Sequence, residues 1–268
     1  DQYFEQIYRI DEASYSIDYE VNMKGLSSLM RPGEESIEFY WKNYLDKIEK
    51  NSEFEKYYST VYYKPAEDDP NYCSCRSSDE VKLENTPLKW ISHSNQFFNT
   101  TMMTQGNFNG GIVATEMLGE DAVDLKLLTS NIQLPIDGTG NETYEMTIYS
   151  GPNDFERLKA MGHDLVDIIP FGWSIFGTIN RWVIRPIFNF LSSFIGSAGL
   201  VILALTFIVK LSLYPLTYRM LYSQAKMAVL KPEMNKVKEK YSDDQQKQQM
   251  ETMKMYREFG VNPLGGCL

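Results

Sequence analysis

At 268 residues the chain is long enough for one large or two ordinary domains. Its net charge of −10 conceals a division: residues 1–170 carry 14 Lys and Arg against 30 Asp and Glu, whereas residues 171–268 carry 12 against 6. Such asymmetry argues against DNA as a partner of the acidic part and suits the basic part to anionic lipid head groups, ribosomal RNA or acidic protein segments.

Residues 1–152 read mainly as strands. Tyr15–Met23 and Thr143–Tyr149 alternate apolar and polar residues with the period of a half-buried strand. Leu88–Phe98, Gly111–Leu118 and Val123–Leu128 are further candidates between Asn, Gly and Ser clusters. Ile37–Tyr58 reads as helix-like or as an irregular insertion. Strands at this spacing predict a sandwich of antiparallel sheets, part of a mixed fold.

Motifs for chemistry are sparse. Cys73 and Cys75 form a C-x-C in a polar stretch without the second pair a zinc site needs, and read as loop thiols or a strained local disulfide. His93 and His163 lack metalloprotease spacing. With no nucleophile, metal or nucleotide motif, neither an enzyme nor a cofactor is expected. Trp41, Trp90 and the tyrosines could line a sugar site or fill the sandwich core.

A short linking helix is expected within residues 153–170, stopped by Gly162. From Phe171 the composition changes. Residues 171–195 set Ile175, Ile179, Trp182, Val183, Ile187, Phe190, Leu191 and Phe194 against a polar stripe of Ser174, Thr178, Arg181, Arg185, Asn189 and Ser192. This is an amphipathic helix for the membrane interface, or one packed on the soluble domain, and Pro186 should bend it. Residues 196–216 contain a nineteen-residue apolar run, Ala198–Leu216, whose single charge is Lys210. Its length, about 28 Å as a helix, matches a bilayer core, although a buried helix of a soluble protein reads similarly.

Residues 217–260 predict an antiparallel helical hairpin. Met227, Leu230, Met234, Val237 and Tyr241 follow a 3-4 spacing; the run Tyr241–Asp244 breaks it; Gln246, Met250, Met253 and Tyr256 or Arg257 form a second stripe. Lys226, Lys231, Lys236, Lys238 and Lys240 decorate the first arm, either as a solvated face or as a recruitment surface. More cations follow Leu216 (Arg219, Lys226, Lys231, Lys236) than precede Ala198, which places the hairpin in the cytoplasm and the acidic domain outside. An external domain requires an earlier membrane anchor, and a chain that starts without Met and ends on GGCL reads as an excerpt.

A cation at mid-membrane depth is costly and usually faces a wet or protein-lined cavity. Thr206 and Thr217 fall within about 40° of Lys210 on a helix, and Tyr214 within about 40° on the other side. That polar stripe fits a hydrophilic groove; snorkelling of Lys210 to the nearby interface is the alternative.

From about Gly172 onward the chain resembles the YidC-type membrane protein insertases. The resemblance rests on Gly172-Trp173, Phe207–Thr217 (FIVKLSLYPLT), Ser223–Tyr241, the Asp243-Asp244 turn and Val261–Leu268 (VNPLGGCL), and more weakly on Pro87–Phe98. It implies a five-helix membrane core, with residues 261–268 starting the next membrane helix, and a positively charged groove in which Lys210 holds a position usually occupied by arginine. Insertion would need no cofactor and no covalent chemistry. The groove cation would attract acidic residues of a translocating tail, and the hairpin would recruit ribosome and targeting components. Implied partners are nascent membrane proteins, the Sec translocon and the lipid bilayer. Lysine sheds its proton more readily than arginine when desolvated, so Lys210 must stay hydrated or paired in this role. A membrane-anchored periplasmic module binding glycans or proteins is the competing reading.

Overall fold

The computed structural model describes residues 2–260 apart from Ala13, Pro32, Glu34, Trp173, Ser242 and Asp243. Trp173, Asp243, the segment 261–268 and the side chain of Ser174 therefore lie outside the described residues. The chain forms two units, Asp1–Pro170 and Phe171–Leu268.

The first unit holds strands β1 (Tyr3–Ile10), β2 (Ser16–Lys24), β3 (Ser36–Asp46), β4 (Thr60–Pro65), β5 (Asn71–Tyr72), β6 (Asp79–Lys82), β7 (Leu88–Ser94), β8 (Phe98–Phe108), β9 (Gly111–Met117), β10 (Asp124–Pro135) and β11 (Glu142–Pro152). They make two antiparallel sheets, β1-β2-β11-β8-β7-β4-β5 and β3-β10-β9-β6. The period-2 pattern explains the layering. In β2, Tyr19, Val21 and Met23 turn inward, while in β10 Leu128, Ser130, Ile132 and Leu134 do. Tyr19, Val21, Leu128, Ile132 and Leu134, with Val61, Ile91, Phe108 and Val113, fill the space between the sheets.

The stretch expected to be helical or irregular, Ile37–Tyr58, is a strand over its first half, as far as Asp46, then loop and a short helix. β3 pairs with β10 from Ser36↔Pro135 to Asp46↔Asp124, and Phe39, Trp41 and Leu45 pack on the core. Only Ser52–Lys56 (α1) is helical, started by Asn51, whose side chain accepts the Glu53 N–H at 3.2 Å. Charged residues on the outer face of β3 imitate a helical pattern, and the long partner strand overrides it. Of the candidate Leu88–Phe98, Leu88–Ser94 is strand β7, and the chain turns before β8 starts at Phe98. Asn95 Oδ1 accepts the N–H groups of Phe97 and Phe98 at 2.9 and 2.7 Å, turning the chain between β7 and β8.

A second, smaller core lies on the opposite face of the larger sheet. Helix α2 (Phe155–Met161) is capped by Asp154 and stopped by Gly162 at φ +73, and a 3-10 turn follows at Leu165–Ile168. Leu158, Leu165 and Ile168 cover Trp90, Met103 and Tyr149, and the Trp90 indole N–H donates to the His163 carbonyl at 2.7 Å. Trp90 has no exposed surface and Trp41 packs on the inter-sheet core, so both are core residues rather than a sugar platform.

Three buried polar groups stand out in this unit. Cys73 belongs to the inter-sheet core instead of a polar loop, and Cys75 is half-buried; both are free thiols, and burial pushes the Cys73 thiol up to about 12. Lys126 enters the core at a register break in β10 next to Asp124. Its ammonium donates to the carbonyls of Lys56, Ser59 and Cys75 at 2.8, 2.6 and 3.0 Å. Burial lowers its pKa to about 8, which still leaves the ammonium form at neutral pH.

His93 is the third. Its ring lies flat on Trp41 with centroids 3.8 Å apart, Nε2 shares a 2.8 Å hydrogen bond with Ser130 Oγ, and Nδ1 has no partner among the described residues. Burial pushes its pKa down to about 3, so the ring is neutral. The folded value lies below the unfolded value of about 6.5, so this group's contribution to stability is complete above about pH 6.5. As pH falls from there towards 3, stability is expected to decline by about 1.4 kcal/mol per unit. Denaturant titrations across that range check the slope. His93→Gln, which keeps a hydrogen-bonding end, should flatten it.

In the second unit, α3 (Ser174–Ile179) runs through a π-helical turn, Asn180–Ile184, into α4 (Arg185–Phe194). The π-helical turn lies just before Pro186, where a bend is expected. Proline has no N–H and crowds the preceding turn, and the widened turn, closed by Arg185 N–H to Asn180 O, accommodates it. Phe176, Trp182, Phe190 and Phe194 are exposed on these helices.

Helix α5 spans Ala198–Lys240 without a break, through Pro215 and Pro232. No boundary separates the apolar run from the first arm of the expected hairpin; the same helix supplies both. The chain then turns, and Asp244 caps α6 (Gln245–Glu258) by accepting the Lys247 N–H at 3.0 Å. α6 folds back so that Tyr256 Oη meets Met234 Sδ at 3.6 Å. On α5, Leu230 is buried and Met227, Met234, Val237 and Tyr241 are half-buried. On α6 the expected stripe is rotated. Met250 and Met253 are exposed, while Gln248, Thr252, Met255 and Tyr256 are half-buried. The cap at Asp244 sets the helical phase here, and the weak apolar pattern does not oppose it.

Candidate functional site: the cationic membrane helix

Among the described residues, α5 is the one helix long and apolar enough to cross a membrane. At about 1.5 Å per residue it measures roughly 64 Å, far more than a bilayer core requires. Most of its surface is exposed, with Leu200, Ile202, Leu203, Phe207, Leu211, Leu213 and Leu216 all open. An apolar helix without a protein core around it suits a lipid environment.

Thr206, Lys210, Tyr214 and Thr217 are all exposed on this helix. The hydroxyls of Thr206 and Thr217 donate to the carbonyls of Ile202 and Leu213 at 2.8 and 2.9 Å, as Ser212 does to Ile208 at 2.9 Å. Each hydroxyl thus satisfies its donor within the helix and keeps acceptor capacity for water or a ligand. Lys210 forms no hydrogen bond or ion pair with any described residue.

The charge of the segment is one-sided. Between Asp167 and Glu233 the sequence contains no carboxylate, while Arg181, Arg185, Lys210, Arg219, Lys226 and Lys231 are all cationic. Beyond that stretch the arm returns to mixed charge. Lys236 pairs with Glu233 at 2.7 Å and Lys247 with Asp244 at 3.3 Å, both largely exposed and each worth little. Lys240 lies over the Tyr241 ring, Lys226 lies over the Tyr222 ring, and Lys231 and Lys238 are exposed. The carboxylate-free stretch and the tyrosines that follow Tyr214 at four-residue intervals can both be counted directly in the sequence.

The sandwich has a polar cleft of about 330 Å³ on the outer face of the larger sheet, lined by Arg9, Asp18, Glu20, Glu145, Thr147 and His163. Arg9 pairs with Glu20 at 2.6 Å, and Glu145 stands directly across from Glu20. Among the described residues there is no cluster of His, Cys, Asp and Glu suited to a metal ion.

A two-sheet β-domain followed by an amphipathic helix and one long, cation-bearing apolar helix defines a membrane-anchored protein with a folded domain on one side of the bilayer. The family model "YidC periplasmic domain" matches residues 1–190, and "60Kd inner membrane protein" matches residues 190–268. The chain belongs to the YidC family, whose periplasmic domain supplies its sandwich and whose place is the bacterial inner membrane. Relatives named "Membrane protein insertase YidC" include one from Parabacteroides distasonis, 33% identical over 97% of this chain and 42% of its own length. Others come from Phocaeicola vulgatus (32%, covering 99% and 44%) and Bacteroides fragilis (30%, covering 99% and 44%). The chain spans less than half the length of these relatives.

Proposed function

We propose that this chain is part of a membrane protein insertase and chaperone, which assists insertion and folding of integral membrane proteins alone or together with the Sec translocon. The observation that carries the reading is Lys210, unpaired among the described residues on a helix that is apolar around it and free of carboxylates before Glu233, in a family whose relatives are named insertases. In this reading Thr206, Lys210, Tyr214 and Thr217 line one wall of a hydrophilic groove. The groove cation attracts an acidic translocating segment while the substrate's apolar helix moves along α5 into lipid. The arm 217–260, with Lys226, Lys231, Lys236, Lys238 and Lys240, faces the cytoplasm and recruits the ribosome and targeting components. No covalent chemistry is involved.

Trp41 and Trp90, the aromatic residues that would have favoured a glycan-binding module, are packed in the sandwich. A photo-reactive residue at position 206 of the complete protein, one turn from the intact Lys210 and presented with a ribosome-stalled membrane protein, tests the insertase reading. Crosslinks to the nascent chain are expected; crosslinks to lipid alone would defeat it.

A further inference from the structure

Resting on the insertase reading, the geometry points to a substrate track that leaves the membrane along a tyrosine ridge, from Lys210 through Tyr214, Tyr218 and Tyr222 to Lys226. Its occupant is an acidic segment flanking the substrate's apolar helix.

These residues are four apart, and the rings follow one another along the helix, the first pair tilted and the second stacked. Tyr214 and Tyr218 have centroids 6.2 Å apart at 33°, Tyr218 and Tyr222 6.4 Å apart at 11°. Lys226 Nζ lies 4.9 Å above the Tyr222 ring. All three tyrosines are more than half exposed, and their hydroxyls bond no described residue. Each step rises about 6 Å and advances about 40°, so the row is an inclined ridge about 24 Å long. A chain following it crosses α5 obliquely.

Charge complementarity selects the occupant. The ridge has a cation at each end, free phenolic donors between them, and no carboxylate on its helix before Glu233. Phenol O–H and ammonium groups are donors suited to carboxylates. An aromatic belt that only anchors the helix in lipid would distribute its rings around the helix. Here positions 213, 216, 220 and 221 are Leu, Leu, Met and Leu, and the rings keep to one ridge that continues inward to Lys210.

The test uses the complete protein in membranes, with a photo-reactive phenylalanine analogue at 206, 218 or 222, and at Leu216 or Met220 on the far side of α5. The probe is a stalled nascent chain with an acidic flanking segment, beside a copy carrying Asn and Gln there. Crosslinks to the acidic chain are expected from 218 and 222 but not from 216 or 220, falling about tenfold with the amide copy. The double variant Tyr218→Phe/Tyr222→Phe keeps the stack and removes the hydroxyls. It should insert the acidic substrate roughly tenfold less well and the amide copy unchanged. Crosslinks from 218 and 222 to lipid or to other helices of the protein alone, or equal capture from the far side, overturn the track. If position 206 still captures substrate in that case, the insertase reading stands. If 206 also fails, both fall.

Discussion

Lys210→Ala in the complete protein is expected to lower insertion of substrates with acidic translocated segments by at least about tenfold, a difference of about 1.4 kcal/mol or more. Lys210→Arg is expected to retain it. Two unit charges about 4 Å apart interact by about 4 kcal/mol at an effective dielectric of 20, so losing even part of that attraction is easily measured. Alanine leaves the threonine and tyrosine hydroxyls in place but removes the only charge in Ala198–Leu216. Arginine keeps the charge and adds donors, and its weaker hydration eases its placement at depth. Substrates with neutral tails serve as controls, since they depend on the apolar surface of α5 and not on the cation. Equal insertion of acidic-tailed and neutral-tailed substrates by the alanine variant would remove Lys210 from the mechanism.

The second large effect concerns the sandwich. Lys126→Met keeps the apolar stem and deletes the ammonium, so the carbonyls of Lys56, Ser59 and Cys75 lose a shared donor. A buried acceptor left unpaired costs about 1–3 kcal/mol. With three affected, and with partial rescue by water, a loss of roughly 3 kcal/mol is expected. In a unit of this size that corresponds to a fall of about 6–12 °C in Tm, readable by thermal melting or by faster hydrogen exchange around Ser59 and Cys75. Lys126 joins three places distant in sequence (the end of α1, the entry to β4 and the Cys75 segment) to β10. Its removal should therefore loosen the Cys73–Cys75 segment first. An unchanged melting temperature would mean that the three carbonyls find other donors.

The legibility of these features in the sequence differs for physical reasons. Strands β2, β9 and β11 are visible because one face is buried and the other wet, so their apolar residues alternate. β3 is hidden because Lys42, Asp46 and Lys47 sit among aromatics in a spacing that also suits a helix, and β10, some eighty residues later, decides between the two. Lys126 could not be foreseen at all. A lysine is read as surface unless three carbonyls from other segments are known to converge on it. On the membrane side the opposite holds. Lys210 stands out because a single cation in a long apolar run has few physical explanations. The order of Tyr214, Tyr218 and Tyr222 needs only a four-residue count, but it acquires meaning once α5 is known to continue past Leu216 as one helix.

That continuity has a mechanical consequence. Lys210 and the arm from Leu230 to Lys240 are carried by one rod, so they cannot be repositioned independently. A rotation of the arm about its long axis turns the lysine through the same angle, and a tilt at one end sweeps the other through an arc. Pro215 and Pro232, each lacking a backbone donor, are the two points along the rod where this rigid gearing can yield.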